Sequence, residues 1–433
     1  MQGSRKMDLK QLQNVMKEPK VGVVVKTETP ISDDIQHKPE LDSGSALQLF
    51  LDRIPITSIP GIKNSPEIQI LELNAGHGVR EAIQMLYERD VCAAPIADAL
   101  DPDATTIARF SDRYIGFIDF ASIFLWSLHK CEKPHVKTKE NGGESFFTML
   151  DQNPQIGHTK IGELATEFLW DPFFPVRLDD TLFHVLLLLS KHRLQVVPVV
   201  EQPKSQVIGF VTQSAVMQLL LQSSGLDWFD RIADRALSEF RFENGDHVVQ
   251  VCGDQSLAEG LRMLCKNQVD AIAVVKRETR RLIGTITRSD IYLLLENDNL
   301  IPNRETLTTE EFIHMETGRA DSDPTIERDI GALISAGALR LKNSFLPRMD
   351  QPVTNKKMDT LKEAMKKLAD TKSNFSFLVN DSHQATGLLT IRDIIIQFAP
   401  PCIDSSFHGD GFFESALEQT GCKVKNGTIA RNS

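Results

Sequence analysis

The sequence predicts a mixed α/β (α+β) fold built from four copies of one small β-α-β-β-α unit. Three observations predict it. An apolar helical stripe recurs four times, a short apolar strand follows each stripe at a fixed offset, and a Gly-led turn runs each unit's last strand into a closing helix.

The stripes place apolar residues at i, i+3, i+4 and i+7, one face of an amphipathic helix. They are Val79, Ala82, Ile83, Leu86; Leu182, Val185, Leu186, Leu189; Leu257, Gly260, Leu261, Leu264; and Leu361, Ala364, Met365, Leu368. Gly260 is the one weak position. The strands that follow are Ala93–Ile96, Val196–Val200, Ala271–Val275 and Phe375–Val379. After a polar turn of variable length, a second strand enters GFIDFAS (Gly116–Ser122), GFVTQSA (Gly209–Ala215), GTITRSD (Gly284–Asp290) or GLLTIRD (Gly387–Asp393). A unit of roughly 60 residues buries too little surface to stand alone. Repeats 1 and 2, and repeats 3 and 4, are therefore expected to pack their sheets together as two tandem modules.

These patterns place repeat 1 at 44–130, repeat 2 at 157–224, repeat 3 at 225–299 and repeat 4 at 342–400. Residues 1–43 are polar and Lys/Glu-rich without a lasting period, which reads as disorder. Residues 131–156 read as a linker. Residues 300–341 read as an insertion with a short helical pattern around Ile330–Leu341, and 401–433 as a weakly structured tail.

Composition narrows the function classes. The formal net charge is −11, which argues against a broad nucleic-acid footprint. Six scattered cysteines, Cys92, Cys131, Cys252, Cys265, Cys402 and Cys422, form no CxxC pair. They read as reduced thiols of a cytosolic or nuclear protein rather than a disulfide framework or zinc site. The amino-terminal residues carry no apolar core of a signal peptide. The longest apolar run, near Leu182–Leu189, is too short to span a bilayer, so no membrane insertion is expected. The Asn426-Gly427-Thr428 sequon reads as accidental. No phosphate-binding P-loop, kinase catalytic loop or HExxH motif is present, and the histidines do not cluster at metal-ligand spacing, so neither an enzyme nor a metal site is expected. Cys92, at a strand start beside apolar residues, reads as a structural thiol.

The β-α-β-β-α unit ending in Gly-h-h-Thr-x-x-Asp resembles the cystathionine β-synthase (CBS) domain. Four such units in two tandem pairs resemble the gamma regulatory subunit of AMP-activated protein kinase. Arg113–Lys130, His184–Val200, Phe210–Leu220 and Gly225–Phe240 are closer still to the gamma subunits of the plant sucrose-non-fermenting-related kinase. The resemblance covers roughly Ala46 to Pro400.

The resemblance implies a disc-like arrangement with clefts between domains, some of which take adenine nucleotides. In the family the turn Asp holds the ribose hydroxyls, which a carboxylate can accept in pairs. The turn Thr or Ser lies near the phosphate, at a helix start whose free N–H groups attract anions. The full motif survives in Thr287 and Asp290 and in Thr390 and Asp393, with Arg288 and Arg392 inside it as candidate phosphate partners. As residues of a first helical turn, both arginines more often read as solvent-facing. Repeat 2 keeps Thr212 but has Ala215 for the acid, and repeat 1 has Asp119 and Ser122. A Thr-x-x-Asp at a helix start is also a capping box, and the two readings stay open.

The family's basic residues before the second strand are missing. Here these positions are Cys92-Ala93, Gln195-Val196, Asp270-Ala271 and Asn374-Phe375. His192 and Arg193 fall three positions early and read as the end of a helix. Tight AMP sensing is therefore not expected, while a weakly held AMP, ADP or ATP in the repeat 3–4 module stays open. No cofactor is required. The function implied is a non-catalytic scaffolding or gamma-type subunit of a heterotrimeric energy-sensing Ser/Thr kinase, partnered by a catalytic alpha subunit and a beta-type subunit. The alternative is a stand-alone CBS sensor of an adenosyl ligand that regulates another enzyme.

Overall fold

The computed structural model describes residues 48–56, 70–97, 113–132, 145–167, 173–192, 194–201, 206–242, 246–315, 339–342, 346–399, 422–425 and 428–431. The segment 1–43 lies outside these residues. So do Arg193, most of the stretch around Ile330–Leu341, and 401–421 of the tail.

Each repeat forms a three-stranded sheet. The first strand pairs parallel with the second, and the second antiparallel with the third. The first helices are Val79–Glu88, Leu182–Lys191, Leu257–Asn267 and Leu361–Thr371, and all sixteen stripe positions are buried. Burying a Leu-sized side chain contributes about 1.5–3 kcal/mol, so four in a stripe settle which face turns inward. The registers Pro95↔Phe117, Pro198↔Phe210, Ala273↔Thr285 and Phe377↔Leu388 superpose the four units. The register shifts at the same place in each, between Ile96/Ala97, Val199/Val200, Val274/Val275 and Leu378/Val379.

Sheet faces pair repeat 1 with 2 and repeat 3 with 4. Tyr114, Phe117, Val200, Val207 and Phe210 fill the first junction, and Ala271, Ala273, Val275, Phe377 and Leu388 the second. Helix faces pair differently. Repeat 1 packs on repeat 3 through Ile123, Phe124, Leu261 and Leu264, and repeat 2 on repeat 4 through Val216, Leu220, Met365 and Ile394. Each repeat is thus buried on both faces, which explains closing helices apolar over more than one stripe.

The connecting segments cross within each module. Pro55 bridges Thr181 and Lys160 bridges Gly78, while Ala236 bridges Thr360 and Thr308 bridges Ser256. The segment entering repeat 1 thereby grips repeat 2, and the segment entering repeat 2 grips repeat 1. The same exchange holds for repeats 3 and 4. Thr309–Ile313 accordingly takes the place in the second module that Ile161–Glu167 takes in the first. Thr309 N donates to Gln255 O at 2.8 Å, as Ile161 N does to His77 O at 2.9 Å. This docking also accounts for Gly260. A Cβ there would lie 3.3 Å from Thr309 Cγ2.

Two local outcomes differ from expectation. The closing helix of repeat 3 is broken into a 3-10 turn, Arg288–Asp290, and a short helix, Leu293–Glu296. Within the tail, Cys422–Lys425 and Thr428–Arg431 pair as an antiparallel hairpin. The Asn426-Gly427 between them in sequence is a strong hairpin signal.

Candidate functional site

The turn that ends each third strand builds its own cap. Thr287 N and Oγ1 both donate to Asp290 Oδ2 at 2.7 Å. Thr390 N and Oγ1 donate to Asp393 Oδ2 at 2.9 and 2.6 Å, and Asp393 N returns a bond to Thr390 Oγ1 at 3.2 Å. Both carboxylates are buried. Thr212 Oγ1 accepts from Ala215 N at 3.2 Å, and in repeat 1 Asp119 accepts from Ser122 N at 2.8 Å. The Asp that replaces Thr in repeat 1 is therefore itself a helix cap.

Arg288 is not solvent-facing. From repeat 3 it reaches repeat 1, where Nη2 donates to Asp119 Oδ1 and Oδ2 at 2.9 and 3.0 Å and also meets Ser122 Oγ. Its Nε lies 4.0 Å from Asp270, which accepts from Gln195 Nε2 of repeat 2 at 3.2 Å. Two of the positions where basic residues were sought, Gln195 and Asp270, thus meet in one network. A third, Asn374, accepts from Ser214 Oγ at 2.9 Å.

The carboxylates of this network are driven apart. Burial acts to raise Asp119, but the Arg288 charge and the Ser122 hydroxyl and N–H outweigh it, holding Asp119 below the usual carboxylate range. Asp270, whose side chain is 52% exposed, is pushed up by desolvation on its enclosed side and by the Asp119 charge, with Arg288 compensating only in part. Burial first, and then Asp119, push the Cys92 thiol up to about 12. Such a thiol is a poor nucleophile near neutrality. Arg392 is half-buried, with its Nε enclosed.

Thr287 and Asp290 open on a small cavity between repeats 3 and 4. Ser289 lines it from the same turn, and Ser373, Asn374 and Phe375 line it from repeat 4. Its free volume of about 40 Å³ holds about three waters. No Lys, Arg or His is among its lining residues. Thr212, Thr390, Asp393, Arg288 and Arg392 do not line it. The corresponding space between repeats 1 and 2 is filled by aromatic rings. Phe117, at the position of Thr285, stacks on Phe173 at 5.9 Å and meets Phe210 edge-on at 5.6 Å.

Sequence reasoning missed the Asp119–Arg288 contact. Its signal was present as an acid in one turn and a base in another, but nothing local says that these two turns meet.

A family model for the CBS domain matches residues 163–222 and 245–297. Over these two segments the chain matches the CBS-domain family. Its matched segments cover repeats 2 and 3, and repeats 1 and 4 have the same strand order and register. The chain is 25% identical over 411 residues to the SNF1-related protein kinase regulatory subunit gamma-1 of Arabidopsis thaliana, covering 88% of this chain and 89% of that one. It is 24% identical over 413 residues to the gamma-1-like subunit of the same plant, covering 80% and 86%. A solved Methanocaldococcus jannaschii protein, offered as an archaeal homolog of g-AMPK, aligns with a TM-score of 0.49 at 14% identity. That alignment covers 80% of this chain and all of that chain.

Proposed function

We propose that this chain is a non-catalytic, gamma-type regulatory subunit of a heterotrimeric Ser/Thr protein kinase, held with a catalytic alpha subunit and a beta-type subunit. The observation that carries the reading is that similarity to two kinase gamma subunits runs over most of both chains, in step with four repeats joined into two modules. A reducing compartment, the cytoplasm or nucleus, suits the four described cysteines, which are free thiols.

On this reading an adenine nucleotide binds only weakly in the repeat 3–4 module, since the Thr287–Asp290 cavity, with room for about three waters, must open to admit it. The cavity lining offers no cation to a phosphate, and Arg288 is already engaged by Asp119. Each charge-assisted hydrogen bond contributes about 1.5–3 kcal/mol. Lacking two of them weakens binding by roughly a hundredfold or more. Co-expression with candidate alpha and beta subunits followed by size-exclusion chromatography tests the assembly, and a stable ternary complex is expected. Titration calorimetry with AMP, ADP and ATP tests the ligand, and sub-micromolar AMP binding would overturn weak sensing.

The lack of a cation in the cavity lining favours a second reading, a stand-alone sensor of an adenosyl ligand without phosphate. A monomer or homodimer that takes up no kinase subunit would support it.

A further inference from the structure

We propose that the apolar cleft between repeats 1 and 2 is a peptide-binding site, occupied in cis by the chain's own Leu339–Lys342. This segment belongs to the connection between repeats 3 and 4, yet it docks on repeat 1. Arg340 forms an antiparallel bridge with Val91. Cys92 N donates to Leu339 O at 2.7 Å, and Leu341 N to Asp90 O at 3.1 Å. Lys342 N donates to Asp90 Oδ1 at 2.7 Å.

The side chains alternate. Leu339 and Leu341 are buried, while Arg340 and Lys342 are exposed. Leu339 enters the cluster of Tyr114, Phe117, Phe173 and Phe210 between the two sheets. Leu341 enters the helix-side core shared by repeats 1 and 3. Lys342 Nζ lies 3.1 Å from Glu296 and 4.2 Å from the centre of the Tyr87 ring, a cation–π contact. Backbone bonds to an extended receptor segment plus alternate side chains in pockets are the elements of peptide recognition in an extended conformation.

The receptor turn, Asp90–Cys92, is shaped for this. Asp90 has a left-handed backbone, φ 56°, as do Gln268 and Lys372 at the same position of repeats 3 and 4 (φ 50° and 53°). The turn is thus a feature of the repeat. In repeat 1 its residue is an Asp, which tolerates that conformation better than most and adds a carboxylate acceptor for the incoming N–H. Tethering gives the cis segment an effective concentration in about the millimolar range, which excludes weaker peptides from outside. The recognised chemistry is an alternating apolar and basic segment, with Leu in the aromatic cluster and Lys against Glu296 and Tyr87. This inference does not depend on the kinase reading.

The test uses the full chain with Leu339→Asp and a fluorescent peptide of residues 336–345, read by anisotropy. The variant is expected to bind the peptide saturably, and the unaltered chain at least tenfold more weakly. The same peptide with Asp in place of Leu is expected to bind neither. Equal binding of the two peptides, or none to the variant, would overturn the proposal. Because Leu339→Asp risks disturbing the aromatic cluster, hydrogen exchange of the Cys92 and Leu341 amides is read in parallel on the Lys342→Ala chain. Both amides are expected to exchange at least tenfold faster than in the unaltered chain, with the Ile118 amide unchanged. No acceleration, or equal acceleration at Ile118, would overturn it.

Discussion

Arg288 Nη2 lies 2.9 and 3.0 Å from the two carboxylate oxygens of Asp119, joining turns 169 residues apart in the chain. The acid of repeat 1 thereby holds the base of repeat 3 at the convergence of the repeats. The chain supplies its own anion to the cation that a phosphate would otherwise need.

Replacing Asp119 should release that cation. Asp119→Ala leaves Arg288 half-buried without its carboxylate and removes a helix cap. Such a pair is neither a surface bridge of about 0–1 kcal/mol nor a fully buried one of about 3–5 kcal/mol. The expected cost is about 1–3 kcal/mol, measured by urea denaturation. Inorganic phosphate should restore part of it by binding the folded state, while leaving the unaltered chain unchanged. A loss that phosphate does not relieve means that Arg288 cannot accept an external anion.

The two carboxylates should respond to pH with opposite signs. Asp119 is held low in the folded state, so its contribution is present above the ordinary carboxylate range and is lost as pH falls through its folded value. Asp270 is raised, so ionising it opposes folding, and that cost develops as pH rises through the ordinary range of about 4 and above. Asp270→Asn should therefore stabilise the protein slightly at pH 7, since solvent screens a side chain that is half exposed, and the gain should vanish in acid. Thermal melts of both chains from pH 3 to 8 check the sign.

Glu132 ties repeat 1 to repeat 3 and to the segment that follows it. Its carboxylate accepts from Arg304 Nε at 3.0 Å and Arg262 Nε at 3.3 Å. Glu132 and Arg304 are largely shielded from solvent, while Arg262 is partly exposed. Glu132→Ala should cost about 1–3 kcal/mol, because it leaves the shielded Arg304 guanidinium without its carboxylate, whereas Arg262 keeps Glu259 and Glu305. Arg262→Ala alone should cost less. Denaturant midpoints of the two variants rank them.

Gly284 sits where the connection into repeat 4 crosses repeat 3. Thr285 N donates to Met349 O at 2.8 Å, and a Cβ on Gly284 would lie 2.8 Å from that same oxygen and against Ile313. Gly284→Ala should cost about 1–3 kcal/mol or more by overpacking. Faster hydrogen exchange at Thr285 would report the displaced connection, and unchanged stability would show that the connection yields freely.

Much of the fold was legible because it is written in local periods. The stripe from Val79 to Leu86 recurs at fixed offsets, and a helix face or strand alternation needs no knowledge of distant residues. The pairing of repeat 1 with 2 and of 3 with 4 followed from the surface that one unit leaves exposed. The hairpin at Cys422–Arg431 also has a local signal, Asn426-Gly427, within a tail that otherwise reads as weakly structured. The site was less legible. Thr287 and Asp290 do face a cavity with Asn374 across it, yet both first serve as a cap. Phe117 and Phe173 filling the matching space between repeats 1 and 2 had no local signature, since an apolar strand residue looks the same in a core or a cleft.

The sequence by itself determined the unit, its fourfold repetition and the chemistry at each turn, since side-chain period and turn residues act within a few positions of the chain. Only the tertiary structure decided which turns meet. It set Arg288 on Asp119 and Leu339 among the rings of repeats 1 and 2. The physical reason is that each repeat buries two faces, its sheet against one neighbour and its helices against another. The composition of a face says that it must be covered, not by which residues.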